Sequence, residues 1–588
     1  MTKHYSLNTL LDYITAQKRE LWLTNLYGVL ATLFFLPIPI LIPLLIDEVL
    51  LENPGKLTKY TDLLFGQQEV WFYLALTLLG VILLRLLVFV LTNAKIFHAT
   101  TLTEKINYHL RHNILHHLQH VSIAEYETLK SGGVASKTVQ DVEAVSNFAN
   151  MLVITLLTAA LTVIGVAVIM VWMHWILALL VFTLNPFFLA FSRIVGKKMG
   201  ELFRRQNEAY ELYNEALNEV LELFTQVRAS NQEQTLFGFL KQKAKAIETA
   251  SIDYGYKASV AHGSSTLLTT TVVDIFRVLG IAAVAYSDLT IGMMLAFLFY
   301  LSTLVSPIQQ LMGLVITYQS TKPAFARINA LLSLEQEPHY PHVVDPFTGV
   351  QSTSVELKNI TFGYSDKSPI LKDVSLRAEA GQKIALIGPS GSGKTTIAQL
   401  MVGFYLPQSG DVSYGNSSFT QIGLPVIREN VALMLQDALF FNETIRMNLT
   451  LSIDKSDEAI YSALEAAQLK SFVDTREDGL HTKIGKNGIR LSGGQRQRLA
   501  IARLILSDPK VVIFDESTSA LDGKTEHDLY ETLADFLEDK TTIIIAHRTT
   551  TIKQADYLYL IEDGRVKAEG SYDELNAKGL IKEDFDVA

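Results

Sequence analysis

Three strings in this sequence have residue types and spacings suited to phosphate chemistry: Gly388-Pro-Ser-Gly-Ser-Gly-Lys394-Thr395, Leu491-Ser-Gly-Gly-Gln495 and Val511-Val-Ile-Phe-Asp515-Glu516. The first fits GxxxxGK[ST]. Gly388, Pro389, Ser390, Gly391, Ser392 and Gly393 form a loop whose backbone N–H groups converge on phosphate oxygens at a helix N-terminus. Lys394 brings a cation to the β/γ charge, and the Thr395 hydroxyl a ligand for Mg2+. Asp515 ends an apolar run and suits a Mg2+-associated carboxylate, while Glu516, next in line, reaches an attacking water. The chemistry these groups predict together is hydrolysis of ATP with Mg2+.

Such a loop needs a strand to deliver the chain and a helix to open behind it. Ile384-Ala-Leu-Ile387 reads as the strand, and Thr396-Ile-Ala-Gln-Leu400 as the helix, with Thr396 beside the phosphates. Val355 to Ile360, Lys510 to Phe514 and Thr541 to Ala546 are further β-type runs alternating with helical stretches, which predicts an α/β P-loop ATPase domain over residues 355–588. The serine and glycines before Gln495 open another helix, offering N–H groups and a positive dipole end to an anion.

Phosphate loop, LSGGQ and tandem carboxylate together resemble the nucleotide-binding domain of ATP-binding cassette (ABC) transporters. The resemblance implies roles for other residues in matching strings. Tyr364, in Ile360-Thr-Phe-Gly-Tyr364, would stack on adenine, and Gln436 would touch Mg2+ and water. Asp522, in Ser519-Ala-Leu-Asp522, would belong to the loop that communicates between two sites. His547 would hold the γ-phosphate and water in line for Glu516, which makes these two the expected catalytic pair. It further implies that Ser492, Gly493, Gly494 and Gln495 serve ATP held by another cassette. One copy in the sequence then calls for a second half-transporter chain, a homodimer first and a heterodimer as the alternative. One string departs from the family: Thr482-Lys-Ile-Gly-Lys486-Asn-Gly488 has a cation where the family carries a glutamate. That is either a compensated change or an altered coupling or pairing.

Upstream the composition changes. The chain is 49% hydrophobic, with a mean hydropathy of +0.23, so a large part must face lipid. A net charge of -10 argues against nucleic acid as a partner, and the lack of cysteine excludes disulfides, thiolate metal sites and cysteine nucleophiles. A bilayer core of about 30 Å takes about 20 apolar residues. Six segments qualify: Leu21 to Leu50, Val70 to Thr92, Met151 to Val171, Ile176 to Val195, Leu267 to Ala285 and Ile291 to Tyr318. The first follows a polar, mixed-charge stretch with no small-residue cleavage signal and is expected to be a retained membrane helix. The predicted architecture is a six-helix transmembrane domain at 1–334 with long cytoplasmic helical extensions, a proline-broken linker at 335–354 and the nucleotide-binding domain at 355–588.

Lys95, Lys105, Arg111, Lys130, Arg193, Lys197, Lys198, Arg204 and Arg205 lie in or beside the two long polar loops, against Lys56 and Lys59 in the first short one. By the positive-inside rule the long loops and both termini are cytoplasmic, and the resemblance implies an integral protein of a bacterial inner membrane. The resemblance extends to exporter-type half-transporters through Tyr126-Glu-Thr-Leu-Lys-Ser-Gly132, Asp141-Val-Glu143, Leu289-Thr-Ile-Gly292 and Ser306-Pro307. It implies short docking helices at the loop tips, near Ser122 to Lys130 and near Asn214 to Leu223.

Other constellations have plainer readings. His109, His112, His116 and His120 share one helix stripe opposite Leu110, Ile114, Leu118 and Val121, a solvated face before it is a metal site. Asp274 and Arg277 can neutralise each other at i, i+3, while Arg85 is a lone cation in the second segment. Pro37, Pro39 and Pro43, and Asn185-Pro186, predict kinks. The function predicted is ATP-driven export or flipping of an amphipathic, lipid-like or drug-like molecule. A peptide exporter, half of a heterodimer, an importer with this fold and an ATP-gated channel are the alternatives.

Overall fold

The computed structural model describes residues 4–51, 55–128, 137–287, 289–364, 368–435, 438–515, 533–546 and 549–581. The chain divides into two compact units. One comprises residues 1–115 and 132–332, the other 116–131 and 333–588.

The first unit is helical. Among the described residues, Lys18–Leu50, Val70–Leu118, Val139–Met173, Glu233–Tyr286 and Ile291–Leu332 are long and apolar enough to cross a membrane. The remaining predicted segment starts the helix Trp175–Glu222. A single residue separates it from the preceding helix: His174 leaves helical geometry and its Nδ1 accepts the Leu177 N–H at 3.3 Å. In the first segment the prolines do break the helix, between Lys18–Phe35 and Ile38–Leu45. Proline lacks the N–H that would continue the ladder. Past the break the Ile40 N–H turns to the Pro37 carbonyl at 3.3 Å, and the Leu36 carbonyl accepts the Tyr300 hydroxyl of the last helix at 2.5 Å.

The first segment ends in a wide turn, Ile46–Leu50, whose two adjacent buried carboxylates serve different helix starts. Asp47 accepts the Gly292 N–H at 2.8 Å and the Thr290 hydroxyl, capping Ile291–Leu332. Glu48 accepts the Thr58 N–H at 2.7 Å, in the first turn of Lys56–Phe65. Gly292 therefore has a packing reason: a Cβ there would overlap the Pro43 carbonyl and the Asp47 carboxylate. Gly292→Ala is expected to cost about 1–3 kcal/mol through overpacking and to lower the thermal midpoint of the purified protein. An unchanged midpoint would contradict this contact.

The loop tips differ from expectation in one case. A short helix Ile123–Thr128 lies where the first tip is predicted. The second short helix is Phe224–Ala229, beyond the predicted Asn214 to Leu223. Residues 201–222 are rich in good helix formers, so the 48-residue helix continues to Glu222 and breaks only there.

The second unit contains, among the described residues, two sheets. Strands β1 (Val355–Phe362), β2 (Leu371–Ala378), β4 (Ser409–Tyr414) and β5 (Ser417–Ser418) form an antiparallel sheet ordered β2-β1-β4-β5. Strands β3 (Lys383–Ile387), β6 (Val431–Met434), β7 (Val511–Asp515), β8 (Thr541–Ile545), β9 (Tyr557–Glu562) and β10 (Arg565–Gly570) form the second, ordered β10-β9-β3-β8-β7-β6. The last is parallel apart from β10. Its central strands are continuous apolar runs because both faces are covered. Along β7, Val511 and Ile513 enter one core and Val512 and Phe514 the other.

The first-loop tip is built into this unit. Ser122 N–H donates to the Glu335 carbonyl at 2.9 Å and Glu337 N–H to the His120 carbonyl at 2.8 Å. His117 also bonds Gln336, with ring Nδ1 2.9 Å from the amide nitrogen.

Candidate functional site

The phosphate loop follows β3 directly and opens the helix Lys394–Val402. Gly388 has φ 143, and a Cβ there would overlap the Ile561 carbonyl oxygen, so only glycine lets the chain leave the sheet at this point. Gly393 has φ 104, and its Cβ would stand 2.6 Å from a Leu371 methyl. Lys394 is buried and folds back over the loop, its Nζ donating to the Gly388 carbonyl at 2.8 Å and the Pro389 carbonyl at 2.9 Å.

Two observations test whether this loop fits a phosphate and a magnesium ion. The Ser392 Oγ is buried with no hydrogen-bond partner among the described residues, an orphaned donor that a phosphate oxygen would satisfy. The Thr395 Oγ1 lies 3.3 Å from Asp515 Oδ1, so a hydroxyl and a carboxylate from separate elements converge, oxygen donors of the kind Mg2+ takes. The residues fit both groups. Strand register explains the convergence: Leu386 of β3 and Asp515 of β7 both pair with Ile545 of β8, which brings their ends to one edge of the sheet.

Tyr364 joins the same corner. Its hydroxyl donates to Gln399 Oε1 at 2.8 Å and stands 3.2 Å from Thr396 Oγ1, on the phosphate-loop helix. Tyr364 is 52% exposed, as an aromatic offered to a base would be. Behind it, Tyr405 meets the Tyr364 ring edge-on at 5.0 Å and donates its hydroxyl to Glu127 of the first-loop helix at 2.5 Å. Burial, and then the Glu127 carboxylate, hold the Tyr405 phenol well above its ordinary pKa, so it remains a donor. Sequence reading missed this link. Glu127 lay in a string matched only by resemblance, and nothing local ties it to Tyr405. Glu127→Ala is expected to raise the ATP hydrolysed per molecule moved while ATP affinity stays within a few-fold. An unchanged ratio, measured in the same vesicles, would contradict a coupling role.

Ser492 caps the helix Gly493–Ser507 in a capping box. Its Oγ accepts the Gln495 N–H at 3.3 Å, and its own N–H donates to Gln495 Oε1 at 2.9 Å. The Gln495 side chain thus holds the helix start, while Ser492 and Gly493 face solvent and Gly494 is half-buried. This helix buries Leu499, Ile501 and Leu504 in the core that receives Val512 and Phe514. The phosphate-loop helix buries Ile397, Leu400 and Met401 in the core that receives Val511 and Ile513. The two helices therefore cover opposite faces of one sheet, and a chain's LSGGQ segment lies across the sheet from its own phosphate-loop helix.

Glu516, His547, Gln436 and Asp522 lie outside the described residues. Lys486 is exposed in a tight turn after Gly485, which has φ 80, and has no ionic partner among the described residues. The histidine stripe divides. His109 Nε2 lies 2.6 Å from the Tyr13 hydroxyl, and the His116 and His120 rings are 4.9 Å apart. No group of three or more metal-binding side chains occurs among the described residues. Asp274 and Arg277 do pair, at 2.8 Å, and Arg85 is exposed.

Comparison with known proteins agrees with this geometry. Residues 371–519 match the ABC transporter family and residues 26–308 the ABC transporter transmembrane region. An ATP-dependent lipid A-core flippase of Alcanivorax borkumensis is 30% identical over 488 residues, 81% of each chain. A multidrug resistance ABC transporter ATP-binding and permease protein of Lactococcus lactis subsp. lactis is 29% identical, over 81% of this chain and 80% of its own. The structure of a bacterial Atm1-family ABC exporter with ATP bound superposes with a TM-score of 0.79 at 23% identity, covering 98% of both chains. The chain belongs to the ABC transporter family. It is an integral membrane half-transporter of exporter-type fold that binds ATP and couples its hydrolysis to transport, and this architecture works as a dimer.

Proposed function

We propose that the chain forms a homodimer in a bacterial inner membrane, with its N-terminus and ATPase unit cytoplasmic, and uses MgATP to export or flip an amphipathic lipid-like or drug-like molecule. The observation that carries the dimeric site is the placement of the phosphate-loop and LSGGQ helices on opposite sheet faces, which leaves each phosphate loop to be completed by another chain. Lys394 neutralises phosphate charge, and Thr395, Asp515 and Gln436 hold Mg2+. Tyr364 stacks on adenine, and Ser492 and Gly494 of the partner meet the γ-phosphate. Glu516 takes the proton of the attacking water, His547 aligns it, and Asp522 links the two sites. The substrate class rests on the relatives' names: a lipid A-core flippase and a multidrug resistance transporter. Residues 1–334, 335–354 and 355–588 act as membrane domain, linker and cassette.

The test is reconstitution of the purified chain alone. The expected result is a particle of twice the chain mass that accumulates a fluorescent lipid or dye in inverted vesicles only with MgATP. A monomer without ATPase activity, recovered on adding a different half-transporter, would contradict the homodimer. Ion current outlasting each ATP turnover would contradict the pump.

A further inference from the structure

A cavity of about 250 Å3 lies among the helices Lys18–Phe35, Val70–Leu118, Val142–Met173 and Ile291–Leu332 of the membrane unit. Thr32, Thr158, Thr162, Ser306 and Gln310 line it, together with Lys95. No carboxylate is among its lining residues, and the Lys95 ammonium has neither an ion pair nor a hydrogen bond among the described residues. Counted by sequence with the cytoplasmic loop charges, Lys95 instead turns inward. Gly28 keeps this corner open: a Cβ there would overlap the Thr158 methyl at 2.6 Å and press on Lys95 Cδ at 3.3 Å, so the bare backbone makes room for Thr158 and, beside it, for the lysine stem along the first helix. A lysine placed only to reach the lipid surface would snorkel outward rather than line a cavity among these hydroxyls.

Three of the threonine hydroxyls around it are committed as donors. Thr32 donates to the Gly28 carbonyl at 2.9 Å, Thr158 to Ile154 at 2.8 Å and Thr162 to Thr158 at 2.8 Å. Their oxygens keep lone pairs and can accept. The cavity thus offers one cation and several acceptors. Its complement is an anion bearing hydroxyl groups. An ammonium within a membrane bundle usually pairs with an opposite charge, and here a ligand would supply it. Whole small-molecule sites span about 300–1,000 Å3, so this smaller space suits a headgroup whose apolar tail lies elsewhere.

We propose that this cavity is a headgroup subsite for an anionic, hydroxyl-bearing amphiphile, with its acidic group on Lys95 and its hydroxyls donating to the threonine oxygens. The assignment rests on the reading of the substrate as amphipathic.

Phosphatidylglycerol, acidic with two free hydroxyls, is the probe. Purified dimers of wild type, Lys95→Gln and Lys95→Arg are placed in phosphatidylcholine nanodiscs with rising phosphatidylglycerol, and ATPase is normalised to each protein's rate in pure phosphatidylcholine. A charged hydrogen bond contributes about 1.5–3 kcal/mol, so half-maximal stimulation is expected to need about 10- to 100-fold more phosphatidylglycerol in Lys95→Gln. Lys95→Arg, which keeps the charge, should stay near wild type and shows that the membrane unit still folds. Inhibition of that stimulation by soluble glycerol phosphate, lost in Lys95→Gln, would place a free phosphorylated polyol in the subsite; its absence, with the shift present, leaves the lipid as ligand. An identical dose response in wild type and Lys95→Gln overturns the subsite. Stimulation by uncharged amphiphiles alone overturns the subsite and leaves the amphipathic-substrate reading standing, whereas no response to any amphiphile overturns both.

Discussion

Glu516→Gln is expected to lower ATP turnover by roughly 10²–10⁴-fold, the range that a positioned general base contributes, while ATP binding stays close to wild type. Glutamine keeps the shape and a hydrogen bond to water but cannot take its proton. The groups proposed to bind nucleotide are others: the loop around Ser392, Lys394, and the Thr395–Asp515 pair at 3.3 Å. Asp515, the carboxylate proposed to hold the metal, ends its strand with a bond to Thr395. The check is steady-state phosphate release beside ATP binding on the same preparation. Turnover within a few-fold of wild type would remove Glu516 from its role. Lost binding with lost turnover would make it a ligand instead.

Lys394→Met is expected to weaken ATP binding by about 10²-fold, since it removes a charge-assisted contact to the β- and γ-phosphates. Methionine is chosen over alanine because Lys394 is buried and a truncated side chain would leave a void. Without nucleotide the ammonium bonds the Gly388 and Pro389 carbonyls, so the variant also loosens the loop. Thermal midpoints with and without ATP separate the two effects. A variant that keeps its fold should lose the stabilisation by ATP, and a midpoint that still rises with ATP as in wild type would contradict the role.

The cassette was legible because its signals are local. The strand Lys383–Ile387 contains the expected run Ile384 to Ile387, since a strand covered on both faces reads as an unbroken apolar run. The phosphate loop and the helix start at Ser492 are fixed by residues within one turn of each other. What escaped is long-range or depends on side-chain direction. Glu127 and Tyr405 are 278 positions apart, and neither has a neighbour that announces the other. Asp47 caps a helix that begins at Ile291, so its purpose is invisible in its own segment. Lys95 counted as a loop cation because composition cannot say which face of a helix a side chain takes. The end of the 48-residue helix was misplaced because its polar half contains nothing that stops a helix before Leu223.

The central claim is that each ATP site is shared between two chains, and the cysteine-free sequence allows a direct measurement. Ser390 of the phosphate loop and Ser492 are both exposed. One tagged chain carries Ser390→Cys, a second carries Ser492→Cys, and the mixed dimer is treated with a short bifunctional thiol reagent with and without ATP. The account predicts a product of twice the chain mass that contains both tags and increases with ATP. If instead a single chain carrying both substitutions consumes its two thiols within itself, at the mass of one chain, the shared site is wrong.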